Sequence, residues 1–123
     1  MTIGGLSKAV GISEYTLRYY EKKGLIKVKR DPVGRRCYEE SDIAWVAFIQ
    51  RLKSTGMLLK DIKKYADLRY EGDGTMPERL SMLQTHRVYV LEQQARWAEC
   101  LQNLDHKISY YKSAIDEKSK EIR

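Results

Sequence analysis

A chain of 123 residues with a formal net charge of +6 is long enough for one modest domain, or for a small domain followed by a long helix. The sequence contains no run of about 18 apolar residues, and Lys8 interrupts the N-terminal segment, so it predicts neither a membrane span nor a signal peptide. Cys37 and Cys100 lie far apart and form no CxxC pair, which favours a reduced cytoplasmic compartment without a structural disulfide.

The excess positive charge lies in the first half of the chain. Residues 1–64 hold 14 Lys and Arg against 7 Asp and Glu, a net charge of +7, whereas residues 65–123 hold 9 against 10, a net charge of −1. A basic half joined to a nearly neutral half is typical of a nucleic-acid-binding domain with a second module attached. The sequence shows no carboxylate pair, nucleophile–base pair or phosphate-binding loop, so we do not expect an enzyme.

The first 24 residues predict a helix-turn-helix motif. Thr2 is a good N-cap for a first short helix, whose apolar residues are spaced for one buried face. Gly11 turns the chain into a second helix, which Ser13 caps and Gly24 ends. Two short helices joined by a glycine-containing turn form this motif in many DNA-binding proteins.

The second helix predicts a basic and aromatic surface, formed by Arg18, Tyr19, Tyr20, Lys22 and Lys23. Guanidinium and phenol groups donate hydrogen bonds to phosphate, and arginine can also read guanine. Adjacent helical residues point about 100° apart, so we expect one of the two tyrosines to pack inward and the other to point outward.

Residues 25–38 predict a short β-hairpin, with a turn at residues 32–34 that contains proline and glycine. A hairpin that follows a helix-turn-helix is called a wing, and we use that name for residues 25–38. Positive charge gathered near the tip of a wing favours contact with a nucleic-acid backbone over a purely structural turn. The residues that supply this charge are Lys29, Arg30, Arg35 and Arg36.

Two further helices are predicted to complete the first domain. Ser41 can cap a third helix, in which Trp45 belongs to an apolar stripe that faces the core. A fourth helix is expected over about residues 59–68. Lys60, at the start of that helix, is a candidate for an additional phosphate contact.

The last part of the chain predicts a long dimerisation helix. No Gly or Pro occurs from residue 78 to about residue 115, and nine of the eleven positions of a 3-4 repeat that starts at Leu80 are apolar or aromatic. Such a rod is about 57 Å long, too long to pack on so small a domain, so a second copy of the chain is the simplest partner. The seam residues that we expect to carry the contact are Trp97, Leu101, Leu104 and Ile108.

These patterns predict a mainly α fold: a winged helix-turn-helix domain with a small β-hairpin wing, followed by the long helix. We assign residues 1–70 to the DNA-binding domain, 71–77 to a linker, 78–116 to the coiled-coil dimerisation helix and 117–123 to a C-terminal tail. We expect no separate effector-binding domain, because the sequence beyond the long helix is too short for one.

The sequence TLRYYE at residues 16–21, followed by GLI at residues 24–26, resembles the recognition helix of the MerR family of bacterial transcription regulators. Arg30, Arg36 and Tyr38 match the wing pattern of that family. The resemblance covers nearly the whole chain and implies an antiparallel coiled-coil homodimer. It also implies an operator inside an overlong promoter spacer, where the regulator activates RNA polymerase by bending and untwisting the DNA.

The predicted partners are therefore double-stranded promoter DNA, a second copy of the chain and RNA polymerase at the same promoter, in the bacterial cytoplasm at the nucleoid. No cofactor is expected. Two rival interpretations are a DNA-architectural factor with the same winged domain, and a coiled-coil protein whose basic half binds an acidic protein. The candidate DNA contacts are Arg18, Tyr19, Tyr20, Arg35, Arg36, Tyr38 and Lys60.

The linker and rod resemble the aldehyde- and nitrosative-stress-responsive branch of the family, for example in the sequence KISY at residues 107–110. That branch has a cysteine at the position of Arg51, so its thiol-sensing site is missing here. Cys37 lies beside Arg36, where positive charge favours a reactive thiolate, and is a candidate electrophile sensor; Cys100 on the rod is a second candidate or a small packing residue.

The alternative inducer is a non-covalent apolar ligand held by Tyr65, Tyr70 and aromatic residues of the rod. A metal sensor is not expected, because His86, Cys100 and His106 are 14 and 6 residues apart and cannot form a chelating pair on one helical face.

Overall fold

A computed structural model describes residues 1–122, which form five α-helices, one short 3-10 helix and one antiparallel hairpin. The chain divides into two compact units, residues 1–86 and the residues from 87 onward. The mainly helical fold predicted from the sequence is confirmed. The elements are α1 (Ile3–Val10), α2 (Glu14–Lys22), β1 (Lys29–Arg30), β2 (Arg36–Cys37), α3 (Glu40–Ser54), α4 (Leu59–Glu71), the 3-10 helix (Asp73–Thr75) and α5 (Met76–Ile122).

Side-chain N-caps mark the first residues of α1 and α2. The Thr2 hydroxyl accepts a hydrogen bond from the backbone N–H of Gly5 at 3.1 Å, and the Ser13 hydroxyl accepts one from Thr16 at 3.1 Å. Gly11 ends α1 in the left-handed region with φ 73°, which glycine adopts without a steric penalty. The predicted helix-turn-helix motif therefore forms at the predicted positions.

The core of the first unit lies where α1 to α4 and the wing converge. Trp45 is buried, and its indole Nε1–H donates to the backbone carbonyl of Leu25 at 3.0 Å. Tyr65 stacks on Trp45 with the ring centroids 5.8 Å apart. These contacts fix α2 and the base of the wing against α3 and α4. The fully buried residues of this core include Leu6, Leu17, Leu25, Val46, Ile49, Ile62 and Ala66.

The boundaries of α3 and α4 differ from the prediction. Glu39 is the N-cap of α3, and not Ser41, because the Asp42 carboxylate accepts from the Glu39 backbone N–H at 2.8 Å and starts the helix earlier. Helix α4 runs to Glu71, three residues beyond the predicted end. The predicted linker at residues 71–77 contains the 3-10 helix and the first residues of α5.

Helix α5 has 47 residues and continues past residue 116, the predicted end of the coiled coil. Residues 117–122 of the expected tail are helical, since no Gly or Pro interrupts them and Lys120 pairs with Asp116 one turn earlier at 3.4 Å. Arg123 lies outside the described residues. Among the described helices, none is both long and apolar enough to cross a membrane.

Trp45→Phe tests the hydrogen bond that joins α3 to the start of the wing. The change keeps an aromatic ring in the core but removes the donor to the Leu25 carbonyl, and we expect it to lower the free energy of unfolding by roughly 1–3 kcal/mol. Urea denaturation measures the difference. Tyr15→Phe, at a position that is 78% exposed, is the matched control and should leave stability unchanged. Equal stability of the two variants would contradict the role assigned to the indole N–H.

Candidate nucleic-acid interface

Helix α2 is anchored through one side and exposes the other. Leu17 and Tyr20 are buried in the core, three residues apart on the same side of the helix. This anchoring leaves a second set of side chains in solvent, at the spacing of a single helical face. The exposed set is Tyr15, Arg18, Tyr19 and Lys22.

Tyr15 belongs to this face although it was not among the predicted DNA contacts. Its ring is 78% exposed, in the first turn of α2. The spacing in the sequence indicates this placement, because Tyr15 precedes Arg18 by three positions and Tyr19 by four, and residues at these spacings share a helical face.

Of the two adjacent tyrosines, one points outward and one packs inward, as the sequence predicted. Tyr19 is 37% exposed, and the Lys23 ammonium lies 5.7 Å from its ring centroid. Tyr20 is 2% exposed and lies under the Lys53 ammonium, 5.2 Å from its ring centroid. Tyr20 is therefore the tyrosine that packs inward, since its ring fills the core and anchors the helix, and its contact with DNA stays a prediction.

The tip of the wing is a turn organised by Asp31. One carboxylate oxygen of Asp31 accepts hydrogen bonds from the backbone N–H groups of Val33 at 3.0 Å and Arg35 at 2.9 Å. The bond from the Arg35 backbone is the main reason why the pKa of Asp31 lies below its usual value. Gly34 completes the turn with φ 86°. The turn thus begins one residue before the predicted proline.

Every basic side chain of the predicted wing cluster pairs with a carboxylate. The Lys29 ammonium is 2.6 Å from Glu39, and this hydrogen bond raises the pKa of Lys29 and lowers that of Glu39. The Arg35 guanidinium lies 3.1 Å from Asp31 within the turn. The side chains of Lys29 and Arg35 are 78% and 77% exposed, so solvent screens both pairs and both cations are accessible to an anion.

The remaining two arginines of the wing share one carboxylate from α2. Arg36 Nε donates to Glu21 Oε2 at 2.7 Å, and Arg30 Nη2 donates to Glu21 Oε1 at 3.2 Å. The hydrogen bond to Glu21 is the main reason why the pKa of Arg36 is raised. Arg30 and Arg36 also face each other as a pair of the hairpin. Glu21 therefore connects the exposed face of α2 to the wing.

Tyr38 lies in the core beneath the wing. Its ring is 2% exposed, and within the described residues its hydroxyl has no hydrogen-bond partner. Burial is the main reason why the pKa of Tyr38 is raised. Its backbone N–H donates to the Met1 carbonyl at 2.8 Å, which holds the residue at the end of β2. Tyr38 therefore supports the wing from below, and its predicted contact with DNA stays a prediction.

The other predicted site residues lie on exposed surfaces. Lys60 is exposed in the first turn of α4, and Arg18 is exposed on α2. The thiols of Cys37 and Cys100 are exposed and reduced. Across the described residues, no group of three or more His, Cys, Asp or Glu side chains is arranged to hold a metal ion.

The predicted seam of the second unit is exposed in the single chain. The exposed fraction is 74% for Trp97, 58% for Leu101, 61% for Leu104 and 50% for Ile108. A row of large apolar side chains in solvent is unfavourable for an isolated molecule and marks a surface for association.

Comparison with known proteins gives two family matches. Residues 1–68 match the family described as "MerR HTH family regulatory protein", and residues 43–107 match the family described as "MerR, DNA binding". The first match alone covers more than half of the chain.

Individual proteins are also similar. An uncharacterised HTH-type transcriptional regulator of Haemophilus influenzae is 40% identical over 114 residues, which cover 92% of this chain and 84% of the relative. The HTH-type transcriptional regulator AdhR of Bacillus subtilis is 39% identical over 93 residues, covering 75% of this chain and 66% of AdhR. The crystal structure of HiNmlR, "a MerR family regulator lacking the sensor domain, bound to promoter DNA", superimposes with a TM-score of 0.82 at 40% identity, covering 92% of this chain and 90% of HiNmlR.

Proposed function

The chain belongs to the MerR family of helix-turn-helix transcription regulators, and we propose that it binds promoter DNA as a homodimer and switches transcription by distorting that DNA. Members of this family are transcription regulators and not enzymes. The observation that carries the proposal is the joining of two basic surfaces, the exposed face of α2 and the wing, through the carboxylate of Glu21.

The two surfaces would make different contacts. An α-helix fits the major groove of B-DNA, where Arg18 would reach base edges or phosphates and Tyr19 would donate to the backbone. The wing would hold the sugar-phosphate backbone beside that groove through Arg35 and Arg36. Lys60, at the start of α4, would add a phosphate contact from a second point.

The homodimer would form through the exposed apolar row of α5. Residues 87–122 extend for about 54 Å, and the apolar row needs an equally long partner to leave solvent. A second copy in antiparallel orientation supplies the same row along the whole length. Two winged domains would then bind two half-sites related by two-fold symmetry and bend the DNA between them. RNA polymerase at the same promoter, in the bacterial cytoplasm at the nucleoid, would respond to that distortion.

The signal would act through an exposed thiol. Cys37 lies at the end of β2, opposite Lys29 in the hairpin and directly after Arg36, so its modification would change the wing where it meets DNA. Cys100 is exposed on the dimerisation helix, where modification would act on the seam between copies. An electrophile such as an aldehyde or a nitrosating agent is the inducer class that fits a thiol target.

Arg36→Ala and Arg18→Ala separate backbone contact from base reading. Arg36→Ala should weaken binding to all sequences alike and lower the slope of log affinity against log salt by about 1.8, since each lost phosphate contact contributes about 0.9 and the dimer loses one from each copy. Arg18→Ala should in addition relax the sequence preference if its guanidinium reads a base. Gel shifts across a salt series measure both effects. Lys112→Ala, which removes the same charge from the rod, is the control, and unchanged binding by Arg36→Ala would contradict the wing contact.

Leu101→Asp tests the dimer. It would bury an unpaired carboxylate in the seam of each copy, so we expect the dissociation constant of the dimer to rise by at least about a hundredfold. Sedimentation equilibrium gives this constant. Gln102→Asp adds the same charge at the neighbouring position outside the predicted repeat and should leave the dimer intact. A wild-type chain that sediments as a folded monomer at micromolar concentration would contradict the proposal.

A promoter–reporter assay tests the sensing thiols. Cells carrying Cys37→Ser, Cys100→Ser or the double variant are exposed to aldehydes, a nitrosating agent and lipophilic cations. We expect the response to electrophiles to be lost in the variant that lacks the sensing thiol, because serine keeps the size of the side chain but not its nucleophilicity. A full response of the double variant to every active compound would exclude both thiols and favour a non-covalent ligand.

A further inference from the structure

We propose that Glu21 is a positioning residue for DNA binding, which holds the guanidinium groups of Arg30 and Arg36 at a fixed distance from the recognition surface of α2. This inference rests on the proposed function and assigns a role to a carboxylate inside a basic surface. An acidic group beside DNA repels phosphate, so its presence there needs a reason other than charge.

The geometry of the Arg36 contact favours positioning. Glu21 is bonded by Arg36 Nε at 2.7 Å, and in the described part of the chain the terminal nitrogens of Arg36 make no hydrogen bond. A guanidinium has five donors in a rigid planar fork, so Arg36 can keep its bond to Glu21 and present its terminal N–H groups to a phosphate. The side chain is 31% exposed, which leaves that end accessible.

The Arg30 contact completes the arrangement from the other strand. Arg30 Nη2 donates to Glu21 Oε1 at 3.2 Å, and its Nη1 donates to the Gly34 carbonyl at 3.3 Å. Each carboxylate oxygen of Glu21 therefore orients one arginine. The side chain of Arg30 is 46% exposed, so its guanidinium stays accessible to an anion at the position where Glu21 holds it.

The surroundings of Glu21 keep this carboxylate in one place. Its neighbour Tyr20 and, one turn earlier, Leu17 are buried and fix the position of α2. The side chain of Glu21 is only 23% exposed, and the buried Tyr38 phenol lies near enough for the charge of Glu21 to contribute to its raised pKa. Because buried apolar rings lower the local dielectric, they strengthen an ion pair compared with one that is fully solvated.

A comparison of Glu21→Gln with Glu14→Gln separates positioning from charge. Both changes remove one negative charge from α2, but Glu14 is exposed and forms no ion pair among the described residues. If charge alone matters, both variants bind DNA more tightly than the wild type. If Glu21 positions the wing, Glu14→Gln binds equally or more tightly, and Glu21→Gln binds about threefold to tenfold more weakly with a shallower salt slope.

The probe is a duplex that the wild-type protein enriches from a random-sequence pool, and affinity is measured by fluorescence anisotropy from 50 to about 300 mM salt. Failure to enrich any duplex would overturn the proposed function itself. Enrichment by the wild type, together with Glu21→Gln binding as tightly as Glu14→Gln, would overturn only the positioning role. Circular dichroism confirms that both variants are folded.

Two further variants keep the test decisive if Glu21→Gln is unstable. Arg36→Lys retains the charge but lacks the Nε–H and the planar fork of arginine. If Glu21 positions Arg36, this variant binds DNA more weakly than the wild type; if only charge matters, its affinity is unchanged. In the Arg36→Ala background, Glu21→Gln should have less effect than in the wild type, since one of its two arginines is already absent. Additive effects in this double-mutant cycle would contradict the proposal.

Discussion

The contact between α2 and the two arginines of the wing depends on the carboxylate of Glu21. It accepts a hydrogen bond from Arg36 on one oxygen and from Arg30 on the other, and these arginines lie on opposite strands of the hairpin. Partly exposed ion pairs of this kind are worth about 0–1 kcal/mol each, too little to explain the fold. Their effect is geometric, because they set where the positive charges of the wing lie relative to α2.

The apolar core makes that geometry possible. Leu17 and Tyr20 anchor one side of α2, and the indole of Trp45 bonds to the Leu25 carbonyl where the helix passes into the wing. A helix of nine residues is too short to be stable alone in water, so packing and not propensity holds it in place. The short hairpin also depends on packing for its stability, which the ring of Tyr38 supplies by lying buried beneath the strands.

The second unit differs from the first because it is a single helix without a core of its own. Residues at 3-4 spacing place their apolar side chains in one row, which another helix can cover. The exposed row of the single chain and the ion-paired wing of the first unit are alike in one respect: each surface is built to meet a partner. The family membership of the chain gives DNA as one partner, and a second copy of the chain is the partner that we propose for the row.

Local sequence determined the elements. The caps Thr2 and Ser13, the glycines at the turns and the apolar periodicity sufficed for the helices and the hairpin, because these signals act over a few residues. The sequence by itself also determined that the first half is basic, that one face of α2 contains Arg18, and that a long uninterrupted helix follows the first domain, although α5 extends beyond both predicted ends.

Only the tertiary structure decided which side chains of the site are accessible and what they bond. Tyr20 and Tyr38 match a sequence pattern of phosphate donors, but both rings are buried because they pack in the core. The bonds of Glu21 join residues 9 and 15 positions apart, a separation at which no helical or strand period relates two side chains. Such contacts form only when packing brings separate elements together, and for that reason the sequence pattern alone did not reveal the role of this carboxylate.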